Sequence, residues 1–187
     1  MVNSLIRPSK RPVPWSEIQL LILDCDGVMT NGRIIYGNDG QDIKQFNASD
    51  GMGLMLLRHT NIDVAVVSGR KSQALTKRCT DLQIKYLYQG IVNKLECVNE
   101  LLQKLELKFD NVIYMGDDWN DIPCLRKAAL SVVPANAWPE IQRVADMTTE
   151  HSGGEGAVRE LINYILHKKG VYERAINSYL ESVGCAL

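Results

Sequence analysis

The sequence predicts an α/β fold, a Rossmann-like three-layer arrangement in which helices cover both faces of a central parallel sheet. Short apolar segments rich in β-branched residues alternate with longer amphipathic segments, as is typical of parallel strands joined by helices. The 187 residues suit one domain with a sizeable core. The composition, 45% hydrophobic and 23% charged, is ordinary for a globular chain.

The first half of the chain is predicted to alternate strands and helices around one hairpin. Ile18–Leu23 ends in four consecutive apolar residues and is predicted as a buried strand. Gly37-Asn38-Asp39-Gly40 is typical of a tight turn and predicts a hairpin within residues 33–47. Apolar periodicity then predicts helix Gly53–His59, strand Ile62–Val67, helix Ser72–Leu82 and strand Tyr86–Gln89.

The second half repeats this alternation. Lys94–Leu105 is predicted as a helix because its leucines and Val98 fall on one face. The same patterns predict strand Val112–Met115, helix Ile122–Ala129, strand Leu130–Val133, and helices Ala137–Ala145, Gly156–His167 and Tyr172–Val183. We expect residues 1–17, which contain three prolines, to form a flexible arm, residues 18–170 to form the domain, and residues 171–187 to form a tail or helix.

Charge and cysteine usage exclude several classes of function. A formal net charge of −1 gives no general attraction to nucleic acid or to an anionic membrane. No apolar run approaches the roughly 20 residues that span a bilayer, and the N-terminus lacks the apolar core of a secretory signal. The five cysteines include no CxxC pair, so neither a disulfide framework nor a zinc site is indicated. We therefore expect a cytoplasmic protein with free thiols.

Polar residues follow three predicted strands at the point where each strand ends. Asp24 and Asp26 follow the first strand, residues 68–70 follow Ile62–Val67, and residues 116–121 bring four further polar side chains. Ligands of parallel α/β folds bind beyond the carboxyl ends of the strands, so these residues are expected at one edge of the sheet. Each of them alone is explained as a turn or a helix cap; their combination favours a site.

Carboxylates at one edge of the sheet, together with Lys94 at the start of a predicted helix, suit phosphoryl transfer. A phosphomonoester and an attacking carboxylate repel each other unless a cation lies between them, and Mg²⁺ prefers oxygen ligands such as those of Asp24 and Asp117. One of the first two acids can attack phosphorus to give an aspartyl-phosphate, while the other handles the proton of the leaving group. Ser68 and Lys94 are expected to bind the phosphate oxygens.

The same residues resemble the four motifs of the haloacid dehalogenase superfamily of phosphotransferases. The motifs are DxDGV at Asp24–Val28, VVSGR at Val66–Arg70, Lys94, and GDDxND at Gly116–Asp121. The resemblance implies that Asp24 is the nucleophile and Asp26 the general acid/base. It implies Mg²⁺ as cofactor, bound by Asp24, by the backbone carbonyl of Asp26, by Asp117, and by Asp121 through the water shell of the ion. The roles of Asp118, Trp119 and Asn120 stay open.

Longer segments resemble a capless subgroup of this superfamily that acts on acidic sugar phosphates. They include SGRKSQALTKRC, YLYQGIVNKL and GGEGAVRE, and the resemblance spans about residues 15–170. It implies a phosphatase of lipopolysaccharide biosynthesis that hydrolyses an eight-carbon acidic sugar phosphate. Members acting on nine-carbon acids carry Glu where this chain has Arg70, so a nine-carbon 9-phosphate is the alternative. A phospho-acceptor module that stores phosphate is a further alternative, which the acid/base Asp26 disfavours.

The resemblance also bears on substrate binding and assembly. Arg70, beside Gly69, can hold a sugar carboxylate with two hydrogen bonds, and Arg78 is a second candidate whose alternative is a solvated helix position. Capless members form homotetramers whose hairpins pack together, so that a neighbouring subunit covers each active site. A hairpin folded against its own domain is the alternative for residues 33–47. The glycine-rich loop at residues 153–156 is a candidate anion cradle at a helix N-terminus.

Overall fold

The computed structural model describes residues 12–38 and 40–185, and the first eleven residues of the predicted arm lie outside this description. In chain order the strands are β1 (Leu20–Leu23), β2 (Ile35–Tyr36), β3 (Asp42–Ile43), β4 (Asp63–Ser68), β5 (Tyr86–Gln89), β6 (Val112–Met115), β7 (Leu130–Val133) and β8 (Met147–Thr148). Six of them form a parallel sheet in the order β5-β4-β1-β6-β7-β8, and β2 pairs antiparallel with β3. The predicted parallel sheet with a small hairpin insertion is confirmed.

The helices differ from their predicted bounds at several ends. They are α1 (Ala48–Leu57), α2 (Gln73–Asp81), α3 (Lys94–Lys104), α4 (Ile122–Leu125), α5 (Pro139–Gln142), α6 (Ala157–Lys168) and α7 (Tyr172–Ser182), with 3₁₀ turns at Phe109–Asn111 and Trp119–Asp121. Helix α1 begins five residues before its predicted start because the Asn47 side chain accepts a 2.7 Å hydrogen bond from the Ser49 amide. Helices α4 and α5 are single turns, far shorter than predicted.

Alternate residues of β1 face opposite layers of the fold. Leu21 and Leu23 pack with apolar side chains of α1, α2 and α6. Leu20 and Ile22 pack with those of α3 and α4 on the other face. Because side chains alternate along a strand, a fully buried strand covered on both faces reads as a continuous apolar run. The three-layer prediction is therefore confirmed, with β1 in the middle of the sheet.

The described part of the predicted arm packs onto the domain. Val13 and Trp15 pack against the core, and the Trp15 ring meets Tyr164 edge to face at 5.7 Å. The Lys169 ammonium donates to the carbonyls of Trp15 and Ile18 at 2.7 and 2.9 Å. These contacts tie the entry to β1 to the end of α6, while the boundary proposed at residue 17 stays a prediction.

The hairpin leaves the domain between β1 and α1 and has two unlike faces. Ile35 and Ile43, which pair on one face, are about half exposed, and so is Ile34 just before β2. Asp42 and Lys44 are two residues apart, and their side chains lie on the opposite side, against the domain. In residues 12–38 and 40–185, no helix has the length and apolarity needed to cross a membrane.

Candidate active site

The central position of β1 brings three strand ends together. Leu23, its last residue, pairs with Val66 of β4 on one side and with Met115 of β6 on the other. The Asp24 amide then donates to the Met115 carbonyl at 2.9 Å, which extends the pairing by one residue. The acids that follow β1 and β6 and the hydroxyl that ends β4 consequently lie at one edge of the sheet, as the sequence predicted.

Three carboxylates and one ammonium group form the centre of this edge. Oxygen atoms of Asp24, Asp117 and Asp121 all lie within 4.8 Å of one another. The Lys94 ammonium lies 2.9 Å from Asp24 Oδ1 and 2.7 Å from Asp121 Oδ1. Because Lys94 and Asp121 are fully buried, this ion pair is shielded from solvent. With all three acids ionised, two negative charges of the cluster have no matching cation.

Burial and mutual repulsion disfavour the charged state of two of these acids. Burial, followed by repulsion from Asp121, raises the pKa of Asp24 to about 6 although Lys94 acts in the opposite direction. Burial, followed by repulsion from Asp24 and Asp121, raises the pKa of Asp117 to about 8. Burial would lower the pKa of Lys94, but the carboxylates of Asp121 and Asp24 outweigh it and raise this pKa. The cluster therefore needs more positive charge to be fully ionised at neutral pH.

The Asp121 carboxylate is engaged on both oxygens by protein donors. Its Oδ1 accepts from Lys94 and from the Tyr114 hydroxyl at 2.6 Å. Its Oδ2 accepts from the amides of Asp117 and Asp118 at 3.1 and 3.3 Å. Asp121 thus fixes both the lysine and the loop that carries Asp117, and the oxygens left open to an ion belong to Asp24 and Asp117.

The donor set fits a hard divalent cation. Asp117 Oδ1 is buried and has no hydrogen-bond partner among the described residues, although buried carboxylate oxygens are rarely left unpaired. A Cβ atom at Gly27, whose φ is +96°, would lie only 1.9 Å from Asp117 Oδ2, so this glycine leaves room for the carboxylate. An unpaired oxygen and uncompensated charge within an all-oxygen set suit Mg²⁺. Asp24 and Asp117 would hold the ion, with the backbone carbonyl of Asp26 as the further ligand expected from the sequence.

The residues of the second motif line the same edge. Ser68 is buried, and its hydroxyl accepts a 3.3 Å hydrogen bond from the Arg70 amide. A Cβ at Gly69 would lie 3.7 Å from the Asn120 side chain, so the second and fourth motifs are neighbours. Asn120 and Trp119 are exposed at the rim, and no described contact gives either of them a role in the chemistry.

Asp26 is held by Lys44, a hairpin residue that sequence reasoning missed, and Arg70 lies nearby. The Lys44 ammonium donates to Asp26 Oδ1, and Arg70 Nε lies 3.9 Å from Asp26 Oδ2. The Arg70 guanidinium also donates to the Tyr36 hydroxyl at 3.3 Å and lies 3.6 Å from Asp42. The only sequence signal for Lys44 is its two-residue spacing from Asp42, which places both side chains on one face of a strand.

Arg78 is not brought into the carboxylate cluster. Its guanidinium donates to the Asn47 carbonyl at 2.9 Å and lies over the Phe46 ring at 5.8 Å. A Cβ at Gly51 would meet it at 2.4 Å, so the arginine packs against the first turn of α1. Within one subunit Arg78 braces the end of the hairpin, and its predicted contact with substrate stays a prediction.

The glycine-rich loop leads into a helix N-terminus that a carboxylate of the chain itself occupies. The Asp50 carboxylate already accepts from the Arg159 amide at 2.8 Å in the first turn of α6. A Cβ at Gly153 would lie 1.7 Å from the Gly27 carbonyl, so the loop packs directly on the loop after β1. Asn136 bridges the two loops, since it accepts from the Gly153 amide at 2.6 Å and donates to the Gly27 carbonyl at 3.4 Å. The glycines therefore support the first motif.

Known proteins of one family are similar in sequence to this chain. The profile of the haloacid dehalogenase-like hydrolases matches residues 83–162. The chain is 44% identical over 159 residues to "3-deoxy-D-manno-octulosonate 8-phosphate phosphatase KdsC" of Salmonella typhi and of Escherichia coli K12, covering 85% of each chain.

Solved structures extend the likeness to the whole fold. A phosphatase of the same name from Yersinia pestis superimposes with a TM-score of 0.83 at 42% identity, covering 85% of this chain and 86% of the other. The enzyme from Moraxella catarrhalis, described as "in complex with Magnesium ion, Phosphate ion and KDO molecule", gives a TM-score of 0.85 at 32% identity, covering 88% and 95%.

Proposed function

Because the chain belongs to the 3-deoxy-D-manno-octulosonate 8-phosphate phosphatase family of haloacid dehalogenase-like hydrolases, we propose that it hydrolyses this sugar phosphate in a Mg²⁺-dependent reaction. The products are the free eight-carbon sugar acid and inorganic phosphate, and the step belongs to lipopolysaccharide biosynthesis. The observation that carries the proposal is the buried cluster of Asp24, Asp117 and Asp121 around Lys94, whose excess negative charge suits a divalent ion.

Asp24 is the nucleophile in the mechanism that this geometry supports. One of its carboxylate oxygens attacks phosphorus as the bond from phosphorus to the sugar oxygen breaks, which gives an aspartyl-phosphate. Asp26, two residues further on, donates its proton to the leaving sugar oxygen and later takes a proton from the water that attacks the intermediate. Hydrolysis then releases phosphate and restores Asp24.

The remaining residues hold the charge of the phosphate. The Ser68 hydroxyl and the Lys94 ammonium bind its non-bridging oxygens, and Asp121 keeps Lys94 in place through the 2.7 Å ion pair. Magnesium, when bound by Asp24 and Asp117, supplies the positive charge that lets an anionic carboxylate approach an anionic ester. Without an added cation the raised pKa values of Asp24 and Asp117 work against this approach.

Arg70 is the residue that we propose to bind the carboxylate of the substrate. Its side chain is about one-third exposed, and its Nε lies 3.9 Å from Asp26 Oδ2, beside the first motif. The planar fork of an arginine binds a carboxylate with two parallel hydrogen bonds. Gly69, which has no side chain, leaves space beside Arg70 in this loop. The nine-carbon alternative carries Glu at this position, so a preference for the eight-carbon acid is expected here.

We also propose a homotetramer in the cytoplasm, in which each hairpin packs against hairpins of neighbouring subunits. Ile34, Ile35 and Ile43 are 51%, 43% and 47% exposed in one subunit, and a two-stranded hairpin is marginal unless its apolar face is covered. A neighbouring subunit would then close the open side of the site, where Tyr36 and Arg70 lie. Arg78, braced at the hairpin end, would reach substrate only through this assembly.

The experiment that tests the function is phosphate release from a panel of sugar phosphates, with Mg²⁺ and with chelator. We expect the highest kcat/KM for 3-deoxy-D-manno-octulosonate 8-phosphate, a lower value for a nine-carbon acid 9-phosphate, and no turnover with chelator. The relatives are phosphatases, which favours hydrolysis over a phospho-acceptor module. Equal kcat/KM for both acids would contradict the substrate assignment, and a stable phosphoprotein without phosphate release would contradict the enzyme.

A further inference from the structure

Lys44 is a buried cation that neither the motifs nor the mechanism above accounts for. Its side chain is only 2% exposed although it follows directly after β3 of a hairpin that is otherwise largely exposed. Burying an ammonium group is costly unless carboxylates pair with it. Because this burial is costly, the groups that contact the Lys44 ammonium are the place to look for its role.

Lys44 contacts Asp26, the general acid/base of the proposed mechanism. Its ammonium donates to Asp26 Oδ1 and lies 4.0 Å from Asp42 Oδ2. Arg70 is the other cation near Asp26, but its Nε lies 3.9 Å from Asp26 Oδ2, beyond hydrogen-bond distance. Among the described residues, only Lys44 therefore makes a direct side-chain hydrogen bond to the Asp26 carboxylate.

We propose that Lys44 is a positioning residue that fixes the orientation of the Asp26 carboxyl group for proton transfer to the leaving oxygen. With Oδ1 held by the ammonium, Oδ2 is the oxygen that carries the transferred proton. The proton passes from Oδ2 to the sugar oxygen as the bond from phosphorus to that oxygen breaks and the bond from phosphorus to Asp24 forms. The electron pair of the O–H bond stays on Asp26, beside Lys44. This inference rests on the proposed function.

The position of Lys44 also makes the hairpin part of the catalytic machinery. Asp42 and Lys44 face the domain, whereas Ile43 between them faces outward. Because side chains alternate along a strand, a shift of one residue in the hairpin register would turn Lys44 away from Asp26. A short insertion that covers no large part of the site can thus still control proton transfer.

The test uses the leaving group to separate positioning from general damage. An alkyl phosphate needs a proton on its leaving oxygen, whereas an aryl phosphate with an acidic phenol leaves with little such help. We expect Lys44→Met to lower kcat/KM for glycerol 3-phosphate about tenfold or more beyond its effect on 4-nitrophenyl phosphate. Asp26→Asn should show the same selectivity more strongly, and Lys44→Arg should recover part of the loss.

Lys85→Met is the matched control, because Lys85 makes a 2.7 Å ion pair with Asp63 at the far end of β4. It should change neither kcat/KM value. Equal losses on both phosphates in Lys44→Met would overturn the proposal. So would a crystal structure of Lys44→Met that keeps the Asp26 carboxylate as it is here, a readout that needs no turnover. Failure of the proposed function is seen separately, in the wild-type protein with the octulosonate phosphate.

Discussion

At the scale of single residues, the contact of Gly27 with Asp117 ties backbone conformation to metal binding. Gly27 has φ of +96°, a conformation that other residues adopt only with strain, and its missing side chain leaves space for the Asp117 carboxylate. No variant at position 27 can keep both the backbone and the carboxylate where they are. The position of Asp117 in the fourth motif therefore requires a glycine at position 27, directly after the two acids of the first motif.

Gly27→Ala is expected to abolish Mg²⁺-dependent turnover and to weaken Mg²⁺ binding at least tenfold, because the new methyl group displaces Asp117. Calorimetric titration with Mg²⁺ measures the affinity. Gly170→Ala is the matched control, since φ there is +65° and a Cβ would meet nothing within 4 Å. The control should lose about 1 kcal/mol of stability and no Mg²⁺ affinity. Wild-type affinity in Gly27→Ala would contradict the site.

Asp24→Asn is expected to lower kcat about 1,000-fold or more while the fold is kept. The amide has the shape of the carboxylate but cannot attack phosphorus, and Lys94 keeps its ion pair with Asp121. Phosphate release measures the activity, and thermal melting in chelator measures the fold. We expect a melting temperature within a few degrees of wild type or higher, since a buried charge is removed. Substantial turnover by this variant would refute the assigned nucleophile.

The site residues that the sequence predicted share one property, which is that their positions are set by the ends of strands. Asp24, Ser68 and Asp117 lie at the carboxyl ends of three adjacent strands, so the alternation of elements is enough to bring them together. Lys44 and Tyr114 could not be predicted in this way. Lys44 acts through a hairpin whose fold-back onto the domain is a tertiary event, and Tyr114 lies inside β6, where an aromatic residue is expected to be simple core.

At the scale of elements, the hairpin combines an outward apolar face with an inward polar one. The outward face carries Ile35 and Ile43, which pair across the hairpin, and the inward face carries Asp42 and Lys44. If an assembly covers the outward face, it fixes the register of the two hairpin strands. That register in turn keeps Asp42 and Lys44 directed toward the domain. Assembly and proton transfer are therefore expected to be linked through this element.

Ile43→Asp is expected to reduce the oligomer to a smaller species, because a charge would have to be buried where hairpins pack together. Light scattering after size-exclusion chromatography measures the mass. Val92→Asp is the control, as Val92 is the most exposed of the large apolar residues in the described chain and lies outside the hairpin. An unchanged tetramer in Ile43→Asp would show that the hairpin is not the interface.

Elements that depend on tertiary contacts were the ones predicted poorly. The sequence missed β8, whose two residues, Met147 and Thr148, form a strand only because β7 lies beside them. Helix α5 stops at Gln142, whereas the prediction ran to Ala145, and the chain rejoins the sheet at Asp146, whose amide donates to the Ser131 carbonyl. Longer helices with a clear apolar face, such as α3, agreed with prediction to within one residue.

At the scale of the whole molecule, the fold concentrates negative charge at the centre of its sheet. Asp24 and Asp117 extend from fully buried strands, so they share the low polarity of the core. In the unfolded chain both acids would ionise near the ordinary value of 3.8. Folding raises both pKa values, and the metal-free fold therefore carries an electrostatic cost that grows with pH.

The sign of this effect gives a prediction for stability against pH. The folded chain holds protons that the unfolded chain has released, on Asp24 between about pH 4 and pH 6 and on Asp117 between about pH 4 and pH 8. The metal-free protein therefore loses stability as pH rises through this range. Mg²⁺ binds the ionised carboxylates and should stabilise the fold more at pH 8 than at pH 5. At about 100 times Kd, we expect a rise of roughly 5–10 °C in melting temperature at pH 8.

Asp117→Asn isolates this contribution from other titrating groups, because it removes the acid with the more strongly raised pKa and one ligand of the ion together. Melting curves of wild type and variant, with Mg²⁺ and with chelator at both pH values, give the difference directly. The variant in chelator should lose less stability between pH 5 and pH 8 than wild type, and Mg²⁺ should stabilise it little. A Mg²⁺ effect of equal size at both pH values in wild type would mean that these carboxylates are already ionised without the metal.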